Sequence, residues 1–280
     1  MWTAAARTQL ARDTLPCATP YATCLTDAEW RVVAPHMPPP ASTGRPRVWT
    51  MRHVLDGVLY VLRTGCAWAH LPGDFPPFGT VHRWFMRLCR KGAFERLARA
   101  VAGLDRMCAG RSPLPTACVV DAQAARSATA GVAVRAGRRG YDAAKRVVGR
   151  KRHALVDTGG RLLGAIVSPA SLHDSHGGIA LLQAAQMAWP GLLCCFADQA
   201  YRGARVAEGA APTAVTVVGA EPGQKGFAVQ PRRWVVERSF AHPGRCRRLA
   251  RDYEGTDEAA LGFFVLASAM ILVRRIARRL

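Results

Sequence analysis

Asp121, Asp198 and Glu237 are the residues of this chain best suited to hold hard divalent cations. Each aspartate closes a short apolar run, Ala117-Cys118-Val119-Val120 before Asp121 and the stretch 192–197 before Asp198. A strand that ends in a carboxylate can project it from a rigid base into a cleft beyond the sheet edge. Glu237 follows Trp234, Val235 and Val236 and precedes Phe240. A helix there could dock by its apolar surface on the sheet while the carboxylate faces inward. Two Mg²⁺ ions about 3.5–4 Å apart, with Mn²⁺ as a substitute, would neutralise the attacking and leaving oxygens of a phosphoryl transfer. Hard oxygen ligands are needed for such ions, and Cys or His would serve poorly. A single Asp behind a strand is more often a turn or cap residue, so the joint pattern carries the reading.

The elements that must position these acids change character along the chain. Residues 1–24 form a poorly patterned leader. Thr26-Asp27-Ala28-Glu29 is a capping box that opens a helix ending near His36, before Pro38-Pro39-Pro40. Thr50 caps a second helix with Val54, Leu55, Val58, Leu59 and Leu62 on one face, stopped by Gly65. A third helix from Thr80 turns Val81, Trp84, Phe85 and Leu88 inward and leaves His82, Arg83, Arg87, Arg90 and Lys91 outward; a fourth covers roughly 93–101. Residues 25–110 are thus expected to form a small all-helical domain, either helix-turn-helix-like and DNA-binding or a helical cap on an enzyme with solvated charges.

Beyond residue 111 the period shortens. Strands are expected at 117–120, 153–157, 162–167, 192–197 and 213–218, with Thr158-Gly159-Gly160 turning a hairpin. Helices then carry Trp234 to Phe240 and the apolar run 259–273. Strands followed by helices indicate an α/β or α+β catalytic domain over 111–280. The run 259–273 falls short of the ~18–20 residues needed to span a bilayer. It reads as a core helix opened by Thr256, so no membrane partner is expected.

The chain has 39 Lys+Arg against 19 Asp+Glu, a formal net charge of +20 in 280 residues. That surplus exceeds the needs of solubility and points to a polyanionic partner, nucleic acid before membrane, because the cations are mostly Arg and spread through every segment. Nine cysteines without CxxC spacing argue for reduced thiols and against a zinc finger or disulfide framework. Candidate phosphate contacts are Arg83 and Arg87 on the third helix, and Arg150, Lys151 and Arg152 in the run Gly149-Arg150-Lys151-Arg152-His153 beside a strand. Arg245, with Arg247 and Arg248, follows the helix of Glu237 and could clamp a DNA strand or form a surface ion-pairing face. His173, Asp174 and His176 read as a polar loop without catalytic assignment.

Ordered segments then carry a family resemblance over residues 25–280. They include Leu25-Thr26-Asp27-Ala28-Glu29-Trp30, Gly44-Arg45-Pro46-Arg47, Leu59-Tyr60-Val61-Leu62-Arg63-Thr64-Gly65-Cys66-Ala67-Trp68 and Val120-Asp121-Ala122-Gln123. Arg139-Gly140-Tyr141-Asp142-Ala143-Ala144-Lys145, Ala197-Asp198-Gln199-Ala200-Tyr201-Arg202-Gly203 and Pro231-Arg232-Arg233-Trp234-Val235-Val236-Glu237-Arg238 continue the series. The chain resembles the DDE transposases of bacterial insertion sequences, in the group typified by insertion sequence five. The resemblance implies an RNase H-like catalytic domain with the triad Asp121, Asp198 and Glu237. It further implies Arg233 as the arginine four positions before the third acid, and a helical domain that engages DNA. Its partners would be the terminal inverted repeats and the target DNA, its assembly a homodimer on DNA, and its location the cytoplasm, on the nucleoid.

The chain departs from that pattern in three places. Gln230 and Gly244 replace the expected tyrosine and lysine, with Arg245 as a basic stand-in. His242-Pro243 is expected to kink or end the helix of Glu237, and the stretch 201–217 is shortened, with Gly209 and Pro212 in it. Rival readings are a DNA-binding protein without catalysis, or an RNase H-like nuclease that hydrolyses without joining ends.

Overall fold

In the computed structural model, residues 21–40, 47–128, 139–219 and 233–280 are described. The leader at 1–20, Gly44-Arg45-Pro46, Gln230 and Pro231-Arg232 lie outside them.

Two helices of the first half begin at the threonines that the sequence offers as caps, whereas the third starts at Phe78, ahead of Thr80, with no side-chain cap. Helix α1 (Asp27–Val33) opens on the reciprocal pair in which the Glu29 N–H donates to Thr26 Oγ1 at 3.2 Å and the Thr26 N–H donates to Glu29 Oε2 at 3.0 Å. Helix α2 (Met51–Thr64) starts at Thr50 and stops at Gly65, whose φ of 73° is the left-handed conformation that glycine adopts without strain. Helices α3 (Phe78–Arg90) and α4 (Ala93–Cys108) follow.

The second half is a mixed sheet centred on β1 (Ala117–Arg126). On one side β3 (Val147–Asp157) pairs antiparallel with β1, and β4 (Leu162–Pro169) pairs antiparallel with β3 through the expected hairpin. The short β2 (Gly140–Asp142) pairs with the start of β3. On the other side β5 (Cys194–Ala197) runs parallel to β1, and β6 (Ala214–Val217) runs parallel to β5. Strand β1 is longer than the sequence suggested, because its ladder with β3 continues through Arg126. Asp121 therefore lies within the strand and not at its exit.

Helix α5 (Asp174–Ala188) packs on β3, β4 and β1, α6 (Ala204–Gly209) precedes β6, and α7 (Arg233–Gly244) packs on β1 and β3. Pro243 stands in the last turn of α7, so its missing N–H ends the helix six residues beyond Glu237 and leaves the turn around the acid intact.

The last helix, α8 (Asp257–Ala277), is capped by Thr256 Oγ1, which accepts from the Ala259 N–H at 3.2 Å. By length and composition it could cross a membrane, yet 78 % of its apolar window is buried in the fold. It joins the two halves: Phe263 stacks on Phe85 of α3 with centroids 4.2 Å apart, and Gly262 lets Cys89 approach where a Cβ would collide with the sulfur. The helical segment therefore shares one continuous core with the sheet. Ions reinforce the junction, since Arg106 of α4 reaches Asp157 at 2.5 Å while Asp105 receives Arg161 at 2.7 Å and Arg275 at 2.9 Å.

Candidate active site

Strands β1 and β5 pair in parallel with Val119 opposite Phe196. Two residues further along each chain stand Asp121 and Asp198, so continuing the register sets the two acids side by side where the β1–β5 ladder ends. Asp198 is half-buried and caps a short 3₁₀ turn, its Oδ1 accepting from the Ala200 N–H at 2.9 Å. Asp121, also half-buried, accepts from the Ala122 N–H at 2.7 Å.

Glu237 is placed differently. Val236 and Phe240, one turn apart on α7, are 0 % and 6 % exposed and take the packed face, with Val235 buried beside them. Glu237 lies about 100° round the helix from Val236 and is exposed. The expectation that its carboxylate faces inward is thus corrected. Among the described residues no group of three Asp, Glu, His or Cys stands together as a metal cage. The all-oxygen chemistry of neighbouring Asp121 and Asp198 fits a hard divalent ion, with the third ligand outside that pair in this conformation.

Behind the two aspartates lies a buried polar layer. Tyr201 is 1 % exposed, and its hydroxyl has no hydrogen-bond partner among the described residues. Burial, then the charges of Asp121, Asp174 and Asp198, push its pKa well up, so the phenol keeps its proton. Gly178 of α5 lets this ring fit, since a Cβ there would strike it, and Gly177 does the same for His153. His153 is fully buried, hydrogen-bonded through Nε2 to Ser168 Oγ at 2.8 Å, and held neutral by burial, its pKa pulled down to about 4. Lys145 extends its ammonium to 3.5 Å from the Ala122 carbonyl, beside Asp121. Lys145 and Tyr201 fall within the motif segments, but motif matching alone assigned neither a role. Their place beside the acids follows from strand register and burial.

The run at 150–152 requires a second correction. Arg150, Lys151 and Arg152 are 1 %, 6 % and 5 % exposed, so they form neither a DNA-facing patch nor a solvated charge run. Strand β3 is covered on both faces, and the two-residue period of a strand sends alternate cations to opposite faces. On one face Arg150 pairs with Asp252 and Asp257, each at 2.6 Å, and Arg152 donates to the Leu249 carbonyl at 2.9 Å. Burial pulls the Arg152 pKa down to about 10. On the other face Lys151 pairs with Asp174 at 2.8 Å and Asp142 at 3.3 Å. The apolar residues flanking the run, Val147, Val148, Ala154 and Leu155, are the signal that could have shown it to be interior strand.

Other candidates divide. Arg83 and Arg87 are exposed on α3, with Arg87 lying over Trp84 at 4.8 Å. Arg245 is exposed, whereas Arg248 is buried and paired with Glu254 at 2.6 Å, which removes it from any strand clamp. Arg233 opens α7, and its side chain lies outside the described residues. His173 and Asp174 are the cap and first turn of α5 rather than a loop, and His176 contacts Arg205.

A sheet that presents paired aspartates at the end of its parallel ladder, with a helix bearing a third acid packed across it, is the framework of a DDE enzyme domain. Residues 112–272 match the family model described as the Transposase DDE domain, and residues 25–98 match one described as a transposase of the IS4/5 family. The chain belongs to this family of IS4/5-type DDE transposases: it is a DNA transposase, of a class whose catalytic domains use divalent metal ions. No curated protein and no solved structure matches the chain.

Proposed function

We propose that this transposase cleaves the DNA ends of its own element and joins them to target DNA using Asp121, Asp198 and Glu237. The observation that carries the assignment is the neighbouring placement of Asp121 and Asp198 at the end of the β1–β5 ladder. The strand order β4-β3-β1-β5-β6, antiparallel on one side of β1 and parallel on the other, supports an RNase H-like reading of the sheet.

Bound divalent ions, two Mg²⁺ in this reading, would supply Lewis-acid neutralisation of the oxygens around the reacting phosphorus. Asp121 and Asp198 would hold them, steadied by the backbone N–H groups of Ala122 and Ala200, and Glu237 would complete the set from α7. The protonated phenol of Tyr201 adds no negative charge behind the acids, and the neutral imidazole of His153 adds no positive charge there. Water would attack the phosphodiester at the element end, releasing a 3′-hydroxyl that attacks the target strand. Both steps are in-line displacements that need no covalent enzyme intermediate.

Arg83 and Arg87 on the outer face of α3 would contact the terminal repeats, and two copies would assemble on the paired ends. The non-catalytic alternative loses its motive, because Pro243 ends α7 beyond Glu237.

Strand-transfer assays on terminal-repeat DNA test the assignment. Asp121→Asn and Asp198→Asn are each expected to lower turnover by roughly a thousandfold, the equivalent of several kcal/mol of transition-state stabilisation, with DNA affinity within about twofold. Unchanged turnover in either variant rejects it.

A further inference from the structure

A cavity of about 620 Å³ opens between Ala22-Thr23, the end of α2, the end of α7 and the last three turns of α8. Arg63, Arg245, Arg274, Arg275 and Arg278 line it, from three separate elements. Among the described residues only Arg274 and Arg275 have acids close by, Glu29 at 3.4 Å and Asp105 at 2.9 Å. Arg63 spends one N–H on the Arg245 carbonyl at 3.1 Å, which ties the two walls together. Among the described residues no acid pairs with the side chain of Arg63, Arg245 or Arg278, and all three are exposed. Five guanidiniums against two carboxylates leave a surplus of three positive charges around one space.

Some of this charge has a local explanation, since cations in the last turn of α8 suit the negative end of its dipole. Arg63 likewise stands in the last turn of α2 and Arg245 just beyond the end of α7, so the ends of three helices gather their cations around one space. The field is felt by His242 on the cavity wall: burial, then Arg245, Arg238 and Arg275, lower its pKa.

The shape narrows the ligand. The volume falls within the about 300–1,000 Å³ typical of sites that enclose a small ligand, so a duplex cannot enter but a nucleotide or two of one strand can. The floor is apolar, with Leu59, Leu62, Met270 and Ile271, and can take sugar and base faces. Arginine forks suit phosphodiester oxygens. The wall residue His242 lies five residues beyond Glu237 on α7, a rise of about 7.5 Å. A strand passing Glu237 along this helix would reach the cavity within two or three nucleotides, at about 3.4 Å each.

We propose that this cavity binds an unpaired DNA strand, with phosphodiesters on its arginines and sugar and base faces on its floor. The location beside the reacting strand rests on the assignment of Glu237 above, and the test separates the two.

The test titrates the full-length protein, in EDTA, against a labelled short thymidine oligonucleotide and against a blunt duplex of unrelated sequence. The double variant Arg245→Ala/Arg278→Ala is expected to weaken oligonucleotide binding by at least about tenfold. Its slope of log affinity against log salt should flatten by about 0.7 for each phosphate that is no longer neutralised. Duplex binding should change by no more than about twofold. Arg31→Ala/Arg99→Ala removes the same charge from exposed positions elsewhere and should leave oligonucleotide binding within about twofold. Circular dichroism melts confirm that both variants are folded.

Equal weakening by the control pair, equal weakening on duplex, or no weakening overturns the proposal. Competition by inorganic pyrophosphate as strong as that of unlabelled oligonucleotide also overturns it, because the site would then hold a small anion only. Asp121→Asn should bind the oligonucleotide like the parent, so a failure of the catalytic assignment leaves this readout intact.

Discussion

The cations of β3 and those around the α2–α7–α8 cavity are alike in type and density and opposite in circumstance. Arg150 is clasped by two aspartates and a carbonyl in the interior. Arg245 and Arg278 face solvent with no acid paired to them among the described residues. The difference teaches that a run of basic residues marks a DNA surface only if the fold withholds carboxylates from it. Buried arginine here is cement between β3 and the segment leading into α8. Exposed arginine, on α3 and at the cavity, is the charge left for a polyanion.

The strongest way to break this comparison is to remove a buried cation. Arg150→Ala leaves Asp252 buried beside an empty space and is expected to cost about 3–5 kcal/mol of stability, read by urea denaturation. If Arg150→Ala melts like the parent and instead weakens DNA binding, the division between cement and contact is wrong.

Next comes pH. His153 is neutral in the fold, with a pKa pulled to about 4 against an ordinary value of 6.5. The unfolded chain therefore binds more protons between those values, so stability is fully present above about pH 6.5 and is lost as pH falls toward 4. The loss should be on the order of 3 kcal/mol. His153→Asn should flatten this part of the stability–pH curve, and an unchanged curve would mean that His153 is not buried neutral.

The smallest expected effect is the other half of the comparison. Arg83→Ala/Arg87→Ala should shift stability by no more than about 0.5 kcal/mol. The salt slope on duplex DNA should flatten by about 0.9 for each phosphate these arginines neutralise. A large loss of stability with an unchanged salt slope would place α3 among the cement.

Much of the local structure was legible without tertiary information. Thr26, Thr50 and Thr256 cap helices because a side-chain oxygen satisfying an open N–H is a matter of neighbours in the chain. Gly65 stops α2 for the same reason, and the hairpin at Thr158-Gly159-Gly160 is set by local turn chemistry. The positions of Asp121 and Asp198 after apolar runs were also readable. Their closeness was not, because it depends on the parallel register of strands whose paired residues are 77 apart in the chain.

The outward turn of Glu237 and the burial of the 150–152 run were misread for one reason. Periodicity says which residues share a face, but not which face the rest of the molecule covers. The sequence by itself determined the caps, the element types, the charge surplus and the acids available for metal. Only the tertiary structure decided which arginines keep their charge for DNA and which aspartates stand together. Those outcomes are set by partners that folding brings together from separate elements, as when Asp252 and Asp257 close on Arg150.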